Sequence, residues 1–143
     1  MASRIEDDAL IGNCEAAALV GRDGSIDWLC CPRFDCDACF AALVGHSEHG
    51  RWQIAPRDKA NITRRHRGNS LILETCFATA AGAVLLVDFM PLGGGHSSIV
   101  QLVIGESGQV AMSTELVLRF GYGAIVPWGR APRGRNAASR CRT

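Results

Sequence analysis

Aromatic residues are scarce: Phe, Trp and Tyr make up 6% of the 143 residues, and there is one tyrosine. Large core anchors are therefore few. No stretch reaches the roughly 18 consecutive apolar residues that a membrane helix needs, and the longest plain aliphatic run, Ala83 to Val87, is strand-sized. The segment Met1 to Asp8 is polar and acidic, without the charged-then-apolar order of a secretory signal. A cytoplasmic protein with no membrane partner is the expectation. Motifs for nucleotide or acyl chemistry are missing too: there is no P-loop, no G-x-G-x-x-G and no G-x-S-x-G. Regular βαβ alternation is absent, which argues against a doubly wound parallel sheet.

Charge is unevenly spread. Residues 1–129 hold ten basic side chains and all 14 acidic ones, whereas residues 130–143 hold five arginines and no acid. The net charge of +1 therefore describes neither part. The last 14 residues have no hydrophobic periodicity and are expected to be a basic disordered tail. An Arg-rich tail can be a nucleic-acid arm, but no aromatic or lysine accompanies these arginines, so no nucleic-acid partner is expected. The seven cysteines are odd in number, and four of them fall within ten residues. Without a secretory signal they read as buried thiols rather than a disulfide framework.

What is present is period-two patterning. Ser70 to Thr79 sets Leu71, Leu73, Thr75 and Phe77 on one face, with Glu74 and Cys76 on the other. Ala83 to Met90 is apolar at nearly every position, as for a strand covered on both faces. The short Ala80-Ala81-Gly82 link makes the two a hairpin. Ile99 to Ile104 reads as another buried strand and Glu106 to Gln109 as a turn. Val110 to Phe120 reads as a long strand with Leu116, Leu118 and Phe120 on one side. Earlier, Ala16 to Val20 and Ile26 to Cys30 flank a glycine-bearing turn, and Gly50 to Ala55 resumes as a strand. Asp37 to Val44 is the one plausible short helix, with Asp37 as cap and Gly45 as terminator. Seven to nine closely spaced strands point to an all-β fold, an antiparallel β-sandwich.

Three groups of residues could carry chemistry. Cys36, Cys39, His46 and His49 form C-x2-C-x6-H-x2-H, a weak zinc candidate because the central spacer is about half that of a zinc finger. Asp27, Trp28, Arg33, Phe34 and Asp35 mix an aromatic platform with bidentate hydrogen-bonding groups, which suits a carbohydrate. The alternative for them is a structural Arg–Asp pair beside a core tryptophan. Asp88 lies in an otherwise apolar strand, where burial would raise its pKa. Glycoside hydrolysis needs two carboxylates facing each other across a substrate, and no such pair stands out among the 14 acids. No cofactor is expected.

Several runs together resemble a known family: Ile5-Glu6-Asp7-Asp8-Ala9-Leu10-Ile11-Gly12-Asn13, Gly24-Ser25-Ile26-Asp27-Trp28-Leu29-Cys30, Pro32-Arg33-Phe34-Asp35, Gly50-Arg51-Trp52, Val87-Asp88-Phe89-Met90-Pro91 and Glu115-Leu116-Val117-Leu118-Arg119-Phe120. They are similar to the N-terminal domain of bacterial glycoside hydrolase family fifteen proteins, the glucoamylase and trehalase-like group, over about residues 4–129. Cys36 departs from the serine usual after Arg-Phe-Asp. The resemblance implies a β-sandwich packed on an (α/α)6 barrel that hydrolyses α-glucosidic bonds, including that of trehalose, with inversion. Two barrel glutamates do the chemistry there, and no positions here match them. The expected role is thus a non-catalytic N-terminal domain, residues 1–129, inactive alone. Its α-glucan or trehalose partner would be met only beside the missing barrel, and Asp27, Trp28, Arg33, Phe34 and Asp35 would border the substrate cleft. The tail after Trp128 resembles out-of-frame translation, so a truncated or frameshifted product with exposed, self-associating strand edges is expected. The alternative is a stand-alone carbohydrate-binding or interaction module, with zinc binding a lesser form of it.

Overall fold

The computed structural model describes residues 4–93 and 95–128, so the expected tail at 130–143 lies outside the described residues. Among the described residues, ten strands form two antiparallel sheets. They are β1 (Ala9–Gly12), β2 (Ala17–Val20), β3 (Ser25–Cys30), β4 (Ala38–Phe40), β5 (Arg51–Pro56), β6 (Asn61–His66), β7 (Leu73–Thr79), β8 (Gly82–Phe89), β9 (Val100–Gly108) and β10 (Met112–Val117). The first sheet runs β1-β2-β3-β5-β10, with β4 also on β3, and the second runs β6-β7-β8-β9. The all-β reading holds. No helix among the described residues is long and apolar enough to cross a membrane.

The sheets stack because their facing rows are apolar. Ile11, Ala18, Val20, Ile26, Leu29 and Phe40 of the first sheet pack with Leu73 of the second and with Met90. Phe77, Leu86 and Thr75 are also fully buried. Each large side chain among these contributes about 1.5–3 kcal/mol of burial free energy. Hairpin β7–β8 pairs Thr79 with Gly82, as its turn residues imply. A Cβ at Gly82 would sit 2.1 Å from the Ser107 carbonyl oxygen, so only glycine fits against β9 there.

Four expectations need correction. The helix at Asp37 to Val44 is instead β4 followed by a 3₁₀ turn at Ala42–Val44. β5 pairs with only the first part of β3, at Ser25 and Ile26, which leaves the edge at Leu29 and Cys30 for β4. All three β4 residues are buried, and pairing that edge outweighs helix propensity. The strand expected at Ile99 to Ile104 extends to Gly108 and is exposed, because the first sheet does not cover it. The strand expected to reach Phe120 stops at Val117, where its partner β5 runs out at Arg51. Leu71 lies outside β7 and is exposed. Two strands, β1 and β6, carried no recognised signal. β6 reads Asn-Ile-Thr-Arg-Arg-His, too polar to register as a strand, yet it pairs along its whole length with β7.

Candidate functional site

Strand β3 carries a bulge at Asp27, since Leu19 pairs with Trp28 and Val20 with Ile26. One extra residue therefore separates two core positions, Ile26 and Leu29. Ser25 and Asp27 join a polar network with Asp23. The Ser25 Oγ lies 2.6 Å from Asp23 Oδ1 and 2.7 Å from Asp27 Oδ2. Gln53 Nε2 donates to Asp23 Oδ2 at 2.8 Å, and Arg51 pairs with Glu115 at 2.7 Å in the same cross-strand rows. A Cβ on Gly21 would fall 2.9 Å from Ser25 Oγ and 3.0 Å from Asp23 Oδ1, so the network closes only over glycine.

A serine hydroxyl has one proton, yet Ser25 makes two short contacts to carboxylates. It donates to one of them at a time, so Asp23 and Asp27 share a single donor. Burial pushes the Asp27 carboxyl up from its ordinary range, and the Asp23 charge adds to the rise. The Ser25 hydrogen bond and the Arg51 charge oppose it.

Trp28 is half-buried against Cys30, Ala38 and Ala41. Its ring centroid lies 6.1 Å from that of Tyr122, tilted by 36°. Tyr122 sits at φ 58 in the turn after β10 and donates its N–H to the Ala38 carbonyl.

Arg33, Phe34 and Asp35 lie on the loop between β3 and β4, and all three are exposed. The Phe34 N–H donates to Glu15 O at 3.1 Å, which ties this loop to the β1–β2 turn. Ser97 Oγ donates to Pro32 O at 2.7 Å and anchors its base. Between loop and turn lies an open groove of about 440 Å³, lined by Cys14, Glu15, Arg33, Phe34 and Asp35. Cys14 adopts φ 72, a conformation costing an L-residue roughly 1–2 kcal/mol. The Asn13 side chain holds the turn by accepting from the Glu15 and Ala16 N–H groups at 3.1 and 2.9 Å. Arg33 and Asp35 form a 3.2 Å ion pair with side chains 69% and 72% exposed. Such a pair contributes about 0–1 kcal/mol to stability and leaves both groups free to bind a ligand.

The five residues grouped from the sequence thus divide. Arg33, Phe34 and Asp35 share the groove, Asp27 is buried in its own network, and Trp28 packs beside Tyr122. Sequence reasoning missed Cys14 and Glu15. Asn13 two residues before Glu15 is the turn signal that could have found them. The weak zinc set does not converge either. His46 and His49 stack at 4.2 Å, while the Cys39 thiol donates to Leu29 O and burial pushes it up to about 11. A thiol so held is a poor source of the thiolate a metal needs. Among the described residues no three His, Cys, Asp or Glu side chains are placed to hold a metal ion.

A family model described as trehalase-like, N-terminal, matches residues 1–126. The chain belongs to the trehalase-like N-terminal family. Among curated proteins, Trehalase 1 of Sulfolobus acidocaldarius is 33% identical over 118 residues, covering 82% of this chain and 20% of that protein. A trehalase of Mycolicibacterium smegmatis is 32% identical over 93 residues, covering 64% of this chain and 14% of that one. A trehalase of Thermoplasma volcanium is 32% identical over 91 residues, 62% of this chain and 15% of that one. The chain therefore spans a fifth or less of the length of these relatives. No solved structure matches. Every residue of the groove and of the Asp27 network lies inside the span matched by the trehalase-like family.

Proposed function

We propose that this chain is a non-catalytic N-terminal β-sandwich domain of a trehalase-like hydrolase, and that its Cys14–Asp35 groove borders the cleft where an α-glucosidic substrate binds. The groove is the observation that carries this reading. It offers an exposed aromatic face in Phe34, a guanidinium in Arg33, and carboxylates in Glu15 and Asp35. That set grips a polyhydroxylated ring by stacking and charge-assisted hydrogen bonds. Catalysis belongs elsewhere. A general acid needs a carboxyl kept protonated beside the bond it cleaves. The two carboxyls that burial raises, Asp27 and Asp88, are buried and do not line the groove, whereas Glu15 and Asp35 are open to water. The catalytic carboxylates and the rest of the cleft come from a longer polypeptide. Six free cysteines among the described residues suit a reducing cytoplasm.

A stand-alone carbohydrate-binding module is the second reading, and it rests on the same groove. Incubating the full chain with trehalose and with maltose tests the first point, and no glucose is expected. Release above a mock-purified blank would overturn the non-catalytic assignment. Titration with the same sugars then separates the two readings. Saturable binding abolished by Phe34→Ala marks a module that works alone, and absence of binding marks a domain that needs the rest of the enzyme.

A further inference from the structure

The two edges of the second sheet are built differently. At the β6 edge, Arg64 reaches across to donate to the carbonyls of Val20 and Asp7, and Arg65 pairs with Glu74. Cations and a covering sheet seal that edge against further strands. Among the described residues the β9 edge has neither device. It is nine residues long, Val-Gln-Leu-Val-Ile-Gly-Glu-Ser-Gly, without Lys, Arg or Pro and with one ionisable group, Glu106. Leu102, Val103 and Ile104 are 46%, 46% and 44% exposed. Leu102 and Ile104 stand opposite Val87 and Leu85 of β8, so an apolar strip runs across the outer face to the open edge. Val103 projects on the other face. The bulge opposite Ala83 and Val84 displaces Glu106 from the ladder, so the flat, unprotected segment is Val100 to Gly105.

We propose that β9 pairs antiparallel with β9 of a second copy of this chain, about a two-fold axis at Val103, and joins two four-stranded sheets into one. The sequence of the edge is self-complementary in that register. Leu102 faces Ile104 of the other copy twice on the outer face, and Val103 faces Val103 on the inner one. Gln101, already donating to Asp88 Oδ1 at 2.9 Å, faces Gly105 and meets no side chain. Glu106 falls opposite Val100, so no like charges meet across the axis. A two-fold, isologous contact is the symmetry expected of a homodimer. The exposed apolar strip and the unpaired backbone groups are buried together.

Sedimentation equilibrium of the full chain tests this. A concentration-dependent monomer–dimer equilibrium is expected. Leu102→Lys, which sets a lysine against each Ile104, is expected to weaken the dimer at least about tenfold. The double variant Leu102→Lys/Ile104→Glu sets each new lysine against a new glutamate of the other copy and is expected to recover much of that loss. Recovery also shows that a lysine at position 102 is compatible with the fold. A chain monomeric at every concentration overturns the proposal. So does a dimer indifferent to Leu102→Lys but abolished by Leu116→Lys, which lies instead in an apolar groove on the first sheet, lined also by Trp52, Met90 and Ile99. Failure of the double variant to recover overturns the register and with it the proposal.

Discussion

Asp27 and Asp88 are both buried, one on each sheet, and both have carboxyls raised above the ordinary range. Their surroundings differ. Asp27 sits in a polar network with Asp23, Ser25, Arg51 and Gln53 and accepts from the Ser25 hydroxyl at 2.7 Å. Asp88 sits in the apolar run of β8, is fully buried, and is held by the Gln101 amide at 2.9 Å. Its Oδ2 has no partner among the described residues. Burial pushes it up to about 6. The contrast separates two ways of keeping a carboxyl inside a fold. One surrounds it with a hydroxyl donor and a nearby cation that support its charged form, and the other leaves that form to bear nearly the whole desolvation cost.

The largest effect is expected at Asp88. A carboxyl whose folded pKa is raised contributes stability that is fully present below its unfolded pKa near 4 and lost as pH rises through about 6. Two units correspond to about 3 kcal/mol, an upper bound where water or relaxation helps the charged form. Asp88→Asn keeps the Gln101 hydrogen bond and removes the titration. It is expected to be more stable than the parent by about 2–3 kcal/mol at pH 7 and nearly equal to it at pH 4. Urea unfolding of both chains from about pH 4 to 7.5 measures the difference. A flat difference across that range would show that Asp88 stays ionised in the fold and would erase the contrast with Asp27.

Asp88 was legible in the sequence, and the Asp27 network was not. A lone carboxylate in Ala83 to Met90 needs only the strand period to be placed in the core. The network needs a bulge at Asp27, the pairing of Ser25 with Gln53 and the pairing of Gln53 with Glu115. Those contacts join residues 28 and 62 positions apart, and no local pattern encodes them. The helix misread at Asp37 to Val44 has the same origin. Ala-Cys-Phe is neutral as a local signal, and the vacant edge of β3 decides its state. Likewise Asp27, Trp28, Arg33, Phe34 and Asp35 are near in sequence, but the strand carries the first two and the loop the last three. The sandwich itself was legible because hydrophobic alternation is local.

A middle-sized effect is expected at Ser25. Ser25→Ala removes the hydroxyl between Asp23 and Asp27 and leaves two carboxylates without a shared donor. The expected cost is about 1–3 kcal/mol at pH 7, the range for a buried polar group that loses its partner. The sign with pH is again set by the raised carboxyl. The Asp27 carboxyl loses the hydrogen bond that holds it down and rises further, so the variant loses most stability at high pH and least in acid. Thermal unfolding at about pH 4.5 and 7.5 measures it. An equal loss at both values would mean that Ser25 acts by packing and not through the Asp27 carboxyl.

The smallest effect is expected at Asp35, the carboxylate at the opposite extreme of burial. Its side chain is 72% exposed and its partner Arg33 is 69% exposed. Water screens the pair, and ordering two long side chains offsets much of the Coulomb gain. Asp35→Asn is therefore expected to change stability by less than about 0.5 kcal/mol at any pH between 5 and 8. Chemical unfolding in low and high salt decides it, and a loss above about 1 kcal/mol would mean that the loop depends on the ion pair. Near-zero cost is what the groove reading requires: a carboxylate not needed to hold the fold is available to a ligand. Asp88 and Asp35 then mark the two ends of one scale, from a carboxylate that the fold tolerates at a cost to one that it can lose without harm. Asp27 lies between them because the Ser25 hydroxyl and the Arg51 charge offset part of its burial.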